Sequence, residues 1–328
     1  MKEVVLKAKK LIREQEKAFN RFISGSCAVL LYHRVTTLQS DPQLLSVSPA
    51  HFEVQLQLLK NKYTVLNTDE FHHYLLNKKR FPAKSIYITF DDGYSDNLLE
   101  AIPILESQEM QAMFYIATET LNTDNEYWWD AVERIILESD SPKDATVDIQ
   151  GRKINPAKLT REDRMNSYDH LLPALRKTAS AIRNKIIDEL AAAFNSTEGR
   201  SSHRALTFDE LRKLHQSKSA TIGAHTHHHP SLAALSCNEQ EEDISRSVAI
   251  LEQELGTAIR YFSFPFGTKD DYNKDTLDIC RKLKFDSVAA NYPVLVQRNT
   301  DAMQFPRFLV RDWNEEEFES NLQQFFTA

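Results

Sequence analysis

The chain has 328 residues, enough to bury a full core as one large α/β domain or two smaller ones. Its 41% hydrophobic and 27% charged residues are those of a globular protein, and a formal charge of −7 excludes a general nucleic-acid binder, because there is no basic field to neutralise phosphates. Three scattered cysteines without a CxxC pair exclude a disulfide framework and a thiolate zinc site, so a reducing compartment is the simplest expectation.

From the N-terminus, Val4, Val5, Ala8, Leu11, Ile12, Ala18, Phe19, Phe22 and Ile23 recur at helical spacing among Lys2, Lys7, Lys9, Lys10, Arg13, Lys17 and Arg21. The pattern predicts a basic amphipathic helix over residues 1–26. Such a helix docks on its own domain or lies on an anionic membrane surface, the first being commoner. No run approaches the roughly 18–20 apolar residues that span a bilayer, and lysines and glutamates interrupt every N-terminal candidate for a signal peptide. The expected location is therefore cytoplasmic, with a peripheral contact at the inner membrane face as the alternative.

Beyond residue 26 apolar β-like runs alternate with helical patterns. Strands are predicted at Cys27–Tyr32, Ser85–Phe90, Ala112–Ile116, Ala220–Ala224, Arg260–Phe264, Asp286–Ala290 and Phe305–Val310. Ser48-Pro49 reads as an N-cap followed by proline at the first helical position, opening a helix to about Lys62. Thr68 caps a helix to about Asn77, Ser95 opens one to Ser107, and Thr207-Phe208-Asp209-Glu210 forms a capping box. Cys237–Leu255 and Asn273–Leu283 follow. Repeated strand–helix units predict an α/β fold with a largely parallel sheet, open or closed into a barrel. Residues 126–202 break this rhythm. They read as helix, a hairpin at Thr146–Ile154 around Gly151 and two polar helices, and are taken as an insertion in a domain spanning 27–328.

Two segments carry chemistry. Thr89-Phe90-Asp91-Asp92-Gly93 follows one apolar run, and His225-Thr226-His227-His228-His229-Pro230 follows another. In parallel α/β architectures reactive groups collect at the carboxyl ends of strands. There these segments offer two carboxylates and several imidazoles, which suits a hydrolytic metal centre with one carboxylate left for proton transfer. Taken singly, Asp-Asp-Gly also suits a solvated turn, and the histidine run a polar loop. Pro230 disfavours helical backbone at His229, so the second histidine is expected in a loop rather than on a helix face. Of only seven glycines, Gly93, Gly223 and Gly267 lie near these segments, a sign that the three places meet in space.

The stretch Thr89–Gly93 resembles the first motif of the polysaccharide deacetylase (NodB-homology, carbohydrate esterase 4) family, and His225–Pro230 resembles its second, His-Ser/Thr-x-x-His-Pro. The resemblance covers roughly residues 27–125 and 205–310 and implies a distorted (β/α) barrel that hydrolyses N-acetyl groups of amino sugars with a divalent metal. Carried over, Asp92, His225 and His229 bind the metal and Asp91 is the general base. Zn²⁺ suits that ligand set, and Ni²⁺ or Co²⁺ fits the same residues. The chain departs from the family where the third motif, Arg-x-Pro-Tyr, becomes Phe262-Ser263-Phe264-Pro265-Phe266-Gly267. Phe266 keeps the ring and the backbone N–H assigned to the oxyanion, and Arg307 is the candidate to replace the lost arginine and orient Asp91. The C-terminal Leu-x-His motif is also missing. Leu31-Tyr32-His33-Arg34-Val35 resembles the N-terminal Tyr-His pattern of poly-N-acetylglucosamine deacetylases, which makes His33 the general acid.

Tyr127-Trp128-Trp129-Asp130 supplies either packing anchors or a sugar-stacking lip, packing being the commoner use. His227 and His228 have no family role and are expected in solvent or behind the ligands. The substrate implied is an N-acetylated amino-sugar glycan or glycolipid. Deformylation or deacylation of a lipid-linked amino sugar, and a glycan-binding pseudoenzyme, are the alternatives. A two-metal phosphoesterase would need more ligands than this chain shows.

Overall fold

The computed structural model describes residues 25–140, 142–144, 146–149 and 152–327. The predicted helix over 1–26 therefore lies outside the described residues, apart from Gly25 and Ser26. Strands β1 (Cys27–Tyr32), β5 (Ser85–Phe90), β6 (Ala112–Ile116), β9 (Ala220–Ala224), β10 (Tyr261–Ser263), β11 (Ser287–Ala289) and β12 (Phe308–Leu309) form one sheet in the order β11-β10-β9-β6-β5-β1-β12. A further strand, β4 (Thr64–Val65), also pairs with β5, and every pairing in this sheet is parallel. Short strands β2 (Arg34–Val35) and β3 (Ser46–Val47) pair beside it.

The sheet curls. Phe305, three residues before β12, bridges Ala289 of β11, its amide donating to the Val288 carbonyl at 3.0 Å. The same chain then pairs with β1 through Leu30↔Phe308 and Leu31↔Leu309. The last strand thus links the two edges, which makes the fold the distorted (β/α) barrel expected. β12 is shorter than the predicted Phe305–Val310 run, because Pro306 has no N–H for the ladder.

Successive strand residues point to opposite faces. Ala28, Leu30 and Tyr32 of β1 share one buried cluster with Ile86, Ile88 and Phe90 of β5 and with Phe52, Leu56 and Leu59 of helix α1 (Pro49–Lys62). The alternate residues Cys27, Val29, Tyr87, Met113 and Tyr115 pack with Ala289 and Phe305 across the curl. Helix α1 starts as read, with Ser48 as N-cap and Pro49 first. Helix α2 (Thr68–Leu76) is capped by Asn67, one residue before the predicted Thr68, because Asn67 and Glu70 complete a reciprocal capping box. The predicted Ser95–Ser107 helix opens with a π turn over Asn97–Ala101 before α3 (Ile102–Ser107). Pro103 has no N–H to offer Leu99, and the Ile102 amide instead reaches the Asn97 carbonyl five residues back.

Residues 126–202 add no strand to the main sheet among the described residues. They form α4 (Trp128–Glu133) with a π turn at Arg134–Glu138, the antiparallel hairpin β7 (Val147–Ile149) and β8 (Arg152–Ile154), and helices α5 (Arg161–Arg176) and α6 (Ser180–Phe194). Next come α7 (Phe208–Gln216), behind the predicted Thr207–Glu210 capping box, then α8 (Cys237–Leu255), α9 (Lys274–Lys282) and α10 (Glu315–Thr327). No helix among the described residues is long and apolar enough to cross a membrane.

Gly223 shows how tightly β9 fits. A Cβ there would lie 2.6 Å from Cδ1 of Tyr115 and 2.9 Å from the Tyr261 carbonyl oxygen. Gly223→Ala is expected to cost about 1–3 kcal/mol, read as a lower melting temperature. An unchanged melting temperature would show that β6 and β10 can move apart freely.

Candidate metal centre and active site

The carboxyl edge of the sheet gathers the two motif segments by means of backbone conformations that few side chains adopt. After β5 the chain turns with Asp92 at φ 76° and Gly93 at φ 90°. The Asp92 carbonyl accepts hydrogen bonds from the Ala117 amide at 3.0 Å and the Tyr127 hydroxyl at 2.6 Å. After β9, the His225 amide donates to the Ile116 carbonyl at 3.0 Å, and Thr226 and His229 take φ values of 66° and 49°. The left-handed region is costly for a β-branched residue such as Thr226, so its surroundings must hold it there. The Thr226 hydroxyl accepts from the His229 amide at 3.1 Å. Asp243 of α8 accepts from the His227 and His228 amides at 2.7 and 3.2 Å and pairs with His228 Nδ1 at 2.5 Å. His227 Nδ1 meets the Thr118 hydroxyl at 2.8 Å. Both extra histidines therefore brace the loop that carries His225 and His229.

That loop brings three metal-capable atoms together. His225 Nε2 and His229 Nε2 are 3.2 Å apart, and Asp92 Oδ1 lies 3.6 Å from the first and 3.4 Å from the second. Ligand atoms about 2.1 Å from a tetrahedral ion stand about 3.4 Å from each other, so the triangle fits Zn²⁺ or a similar cation. The Ser263 carbonyl sits 2.8 Å from His225 Nδ1. It holds the proton on that nitrogen and leaves the Nε2 lone pair turned into the triangle. Burial, then the neighbouring Asp91 and Asp130, pushes the Asp92 carboxyl well up. Burial, then His225, pushes His229 well below its ordinary value, and burial lowers His225 as well. A cation among them would relieve the penalty on Asp92 and make use of the neutral imidazoles.

Asp91 stands beside the triangle rather than in it. Its carboxylate is gripped by both terminal nitrogens of Arg307, at 2.7 Å each. Arg307 also donates to the Ala290 carbonyl at 3.0 Å, the Ser263 hydroxyl at 2.7 Å and the Thr89 hydroxyl at 3.2 Å, and its side chain is fully buried. Burial alone would raise the Asp91 pKa, but Arg307, and then His225, carry it below the usual carboxylate range. The Arg307 suggested by sequence is thus no surface ion pair; it completes a buried network.

His33 follows β1 and lines the same cleft as Asp91, Asp92, His225, His229 and Phe266. Burial lowers its pKa to about 4 although Asp91 pulls the other way. Phe266 takes φ 59°, with its ring centroid 4.8 Å from that of His229. All seven residues chosen from sequence therefore meet here, with Arg307 behind Asp91. Sequence reading passed over Ser263, Asp243, Asn291, Leu309, Gln43, Leu45 and Arg176, which line or brace the cleft. Their roles depend on side chains distant in sequence, and only the Ser263 position within the altered third motif offered a signal. Trp128 and Trp129 are almost wholly buried. Trp129 packs its ring 4.5 Å from His229, and its Nε1 donates to the Tyr94 hydroxyl at 2.8 Å, so it works as a packing anchor under a metal-capable histidine.

A curled parallel sheet with this cluster at its carboxyl edge is a NodB-type (β/α) barrel. The chain belongs to the polysaccharide deacetylase family, whose profile matches residues 78–141 and 155–288. The gap in that match falls on the hairpin region. A curated relative, the putative polysaccharide deacetylase YxkH of Bacillus subtilis (strain 168), is 32% identical over 94 residues, covering 28% of this chain and 32% of that protein. The chain thus matches about a third of that relative's length. Among solved structures, the Streptococcus pyogenes deacetylase PplD in complex with acetate superposes with a TM-score of 0.59 at 18% identity, over 91% of this chain and 99% of that one. IcaB from Ammonifex degensii gives 0.58 at 18% identity, over 93% and 98%. At these identities the likeness is one of fold.

The Asp91–Arg307 pair has a pH signature. Because the folded-state pKa of Asp91 is depressed, its pairing adds stability above the ordinary carboxyl value of about 3.9, and that stability is lost as pH falls through the folded value. In Arg307→Met, burial is left as the dominant influence, so Asp91 is expected to titrate above about 3.9, followed by ¹³C-carboxyl NMR on metal-free protein. The unpaired buried carboxylate should also cost about 3–5 kcal/mol at pH 7. An Asp91 that still titrates low would show that Arg307 does not set its charge.

Proposed function

We propose that this protein is a metal-dependent hydrolase that removes N-acetyl groups from amino sugars of a polysaccharide or glycolipid. The observation that carries the proposal is a carboxylate kept ionised by a buried arginine and placed beside, but outside, an Asp-His-His triangle of tetrahedral dimensions. Asp92, His225 and His229 would hold the cation, which when bound supplies a Lewis acid and lowers the pKa of a water.

Asp91 is the base that takes the proton of the attacking water. Its Oδ2 lies 3.7 Å from His225 Nε2, close enough to reach a molecule held at the triangle. Arg307 keeps the carboxylate charged and fixes its rotamer, so the base is oriented before substrate arrives. The backbone N–H of Phe266 serves the oxygen on which charge develops. His33 gives the departing nitrogen its proton. Burial keeps the imidazole neutral at pH 7 in the free protein; as negative charge gathers beside it, His33 would take up the proton that Asp91 removed from the water and deliver it to the nitrogen as the C–N bond breaks. The apolar side chains of Leu45, Leu309, Trp129 and Phe266 along the cleft suit the methyl end of an acetyl group. YxkH is named as a putative polysaccharide deacetylase, and PplD was solved with acetate, which supports the same class of substrate.

Two measurements test this. Purified protein is expected to contain a divalent metal and to release free amine from short N-acetylglucosamine oligomers. Asp91→Asn should lower that rate by about 10²- to 10⁴-fold while the metal stays bound; an unaffected rate would remove Asp91 from the chemistry. Chelation should abolish amine release and added Zn²⁺ or Co²⁺ restore it, whereas full activity in metal-free protein would overturn the metal centre. Metal without release from any oligomer would move the substrate to a lipid-linked amino sugar.

A further inference from the structure

Phe266, like the metal-capable Asp92 and His229, is held in a left-handed backbone conformation with no glycine to permit it, at φ 59°. A non-glycine residue stays in that region only when its neighbours fix it on several sides. On one side the next residue does so: the Asn291 amide donates to the Gly267 carbonyl at 2.7 Å, and a Cβ on Gly267 would lie 2.7 Å from that same nitrogen. On the other side the support comes from residues 126–202. The Arg176 guanidinium, at the carboxyl end of α5, sits over the Phe266 ring with 3.9 Å from its carbon to the ring centroid.

Arg176 is itself locked. Its Nε donates to Asp271 Oδ1 at 3.1 Å and a terminal nitrogen to Oδ2. Asp271 is buried, and it also accepts from the Thr268 amide at 3.0 Å, the Thr268 hydroxyl and the Ser231 hydroxyl at 2.9 Å. The Ser231 amide returns to the Arg176 carbonyl at 3.3 Å. One helix end thus ties together the loop after His229 and the loop of Phe266.

We propose that Arg176 is a positioning residue, which fixes the Phe266 ring and through it the backbone N–H that serves the oxyanion. Residues 126–202 are then a working part of the active site rather than an appendage. A planar guanidinium can stack on the ring and grip Asp271 at once, whereas a lysine can do only the second. The inference rests on the deacetylase reading for its kinetic consequences but not for its structural ones.

The test compares wild type, Arg176→Ala, Arg176→Lys, Phe266→Ala and the Arg176→Ala/Phe266→Ala double variant. Amine release from N-acetylglucosamine oligomers gives kcat and KM, metal content reports the intact triangle, and protein labelled with ¹⁵N-phenylalanine reports the Phe266 amide without turnover. Arg176→Ala is expected to lower kcat by about tenfold to a hundredfold, with KM within about twofold of wild type, metal retained and the Phe266 resonance displaced. Arg176→Lys should fall between it and wild type. In the Phe266→Ala background, removing Arg176 should change kcat no further, because the handle is already gone. A raised KM at unchanged kcat, additive effects in the double variant, or an unmoved Phe266 resonance would each overturn the proposal. If wild type binds metal but releases no amine from any oligomer, the oligomeric substrate is wrong, and the Phe266 resonance still decides the positioning role.

Discussion

The buried pair between Asp91 and Arg307 is the constraint on which the rest depends. Taking both charges out of water costs several kcal/mol per ion, and only close geometry and full hydrogen bonding offset that. Every condition is met here: two short contacts to the carboxylate, and donors from the same guanidinium to Ala290, Ser263 and Thr89. These partners lie on β5, in the motif after it, on β10 and just beyond β11. The pair therefore ties the strands of the curl to one another as it sets the charge of Asp91. A leucine and a methionine in these places would give a drier core and leave that wall of the cleft without a carboxylate.

Around this pair the site loops share a physical device. Asp92, Thr226, His229 and Phe266 all occupy left-handed backbone conformations, in segments of two to six residues just past strand ends. Such conformations aim side chains back over the sheet edge, which a regular continuation would not do. Their cost is offset by Asp243, Tyr127 and the Thr226 hydroxyl. The aromatic run at 127–129 belongs to this support. Tyr127 holds the Asp92 carbonyl while Trp129 stacks beneath it and touches His229.

The segment 126–202 joins the same support from a second direction. Arg183 of α6 is fully buried, donates to the His228 carbonyl at 2.7 Å and lies over Trp128, while Arg176 reaches Phe266. Two arginines from this one segment thus brace both loops that flank the metal-capable triangle. Substituting the polar helices of this segment would change the site without touching its motifs.

Much of this was legible in the chain itself. Alternating apolar runs and capping residues marked the strands and most helices, because those signals are local and their energetics are settled within a few residues. Asp91, Asp92, His225 and His229 stood out because chemistry-bearing side chains followed predicted strand ends, and Pro230 already argued against a helical His229. The strand boundaries near Pro306, the Asn67 cap and the π turn before Pro103 were decided by single missing or reciprocal hydrogen bonds that composition does not rank. The tertiary structure alone decided how Arg307 reaches Asp91 across 216 positions, that both tryptophans are buried packing anchors, Trp129 also walling the cleft, and that Arg176 and Arg183 come to it from a segment outside the motifs. Contacts between residues distant in sequence leave no periodicity to read; they exist only once the sheet has curled and brought its two edges together.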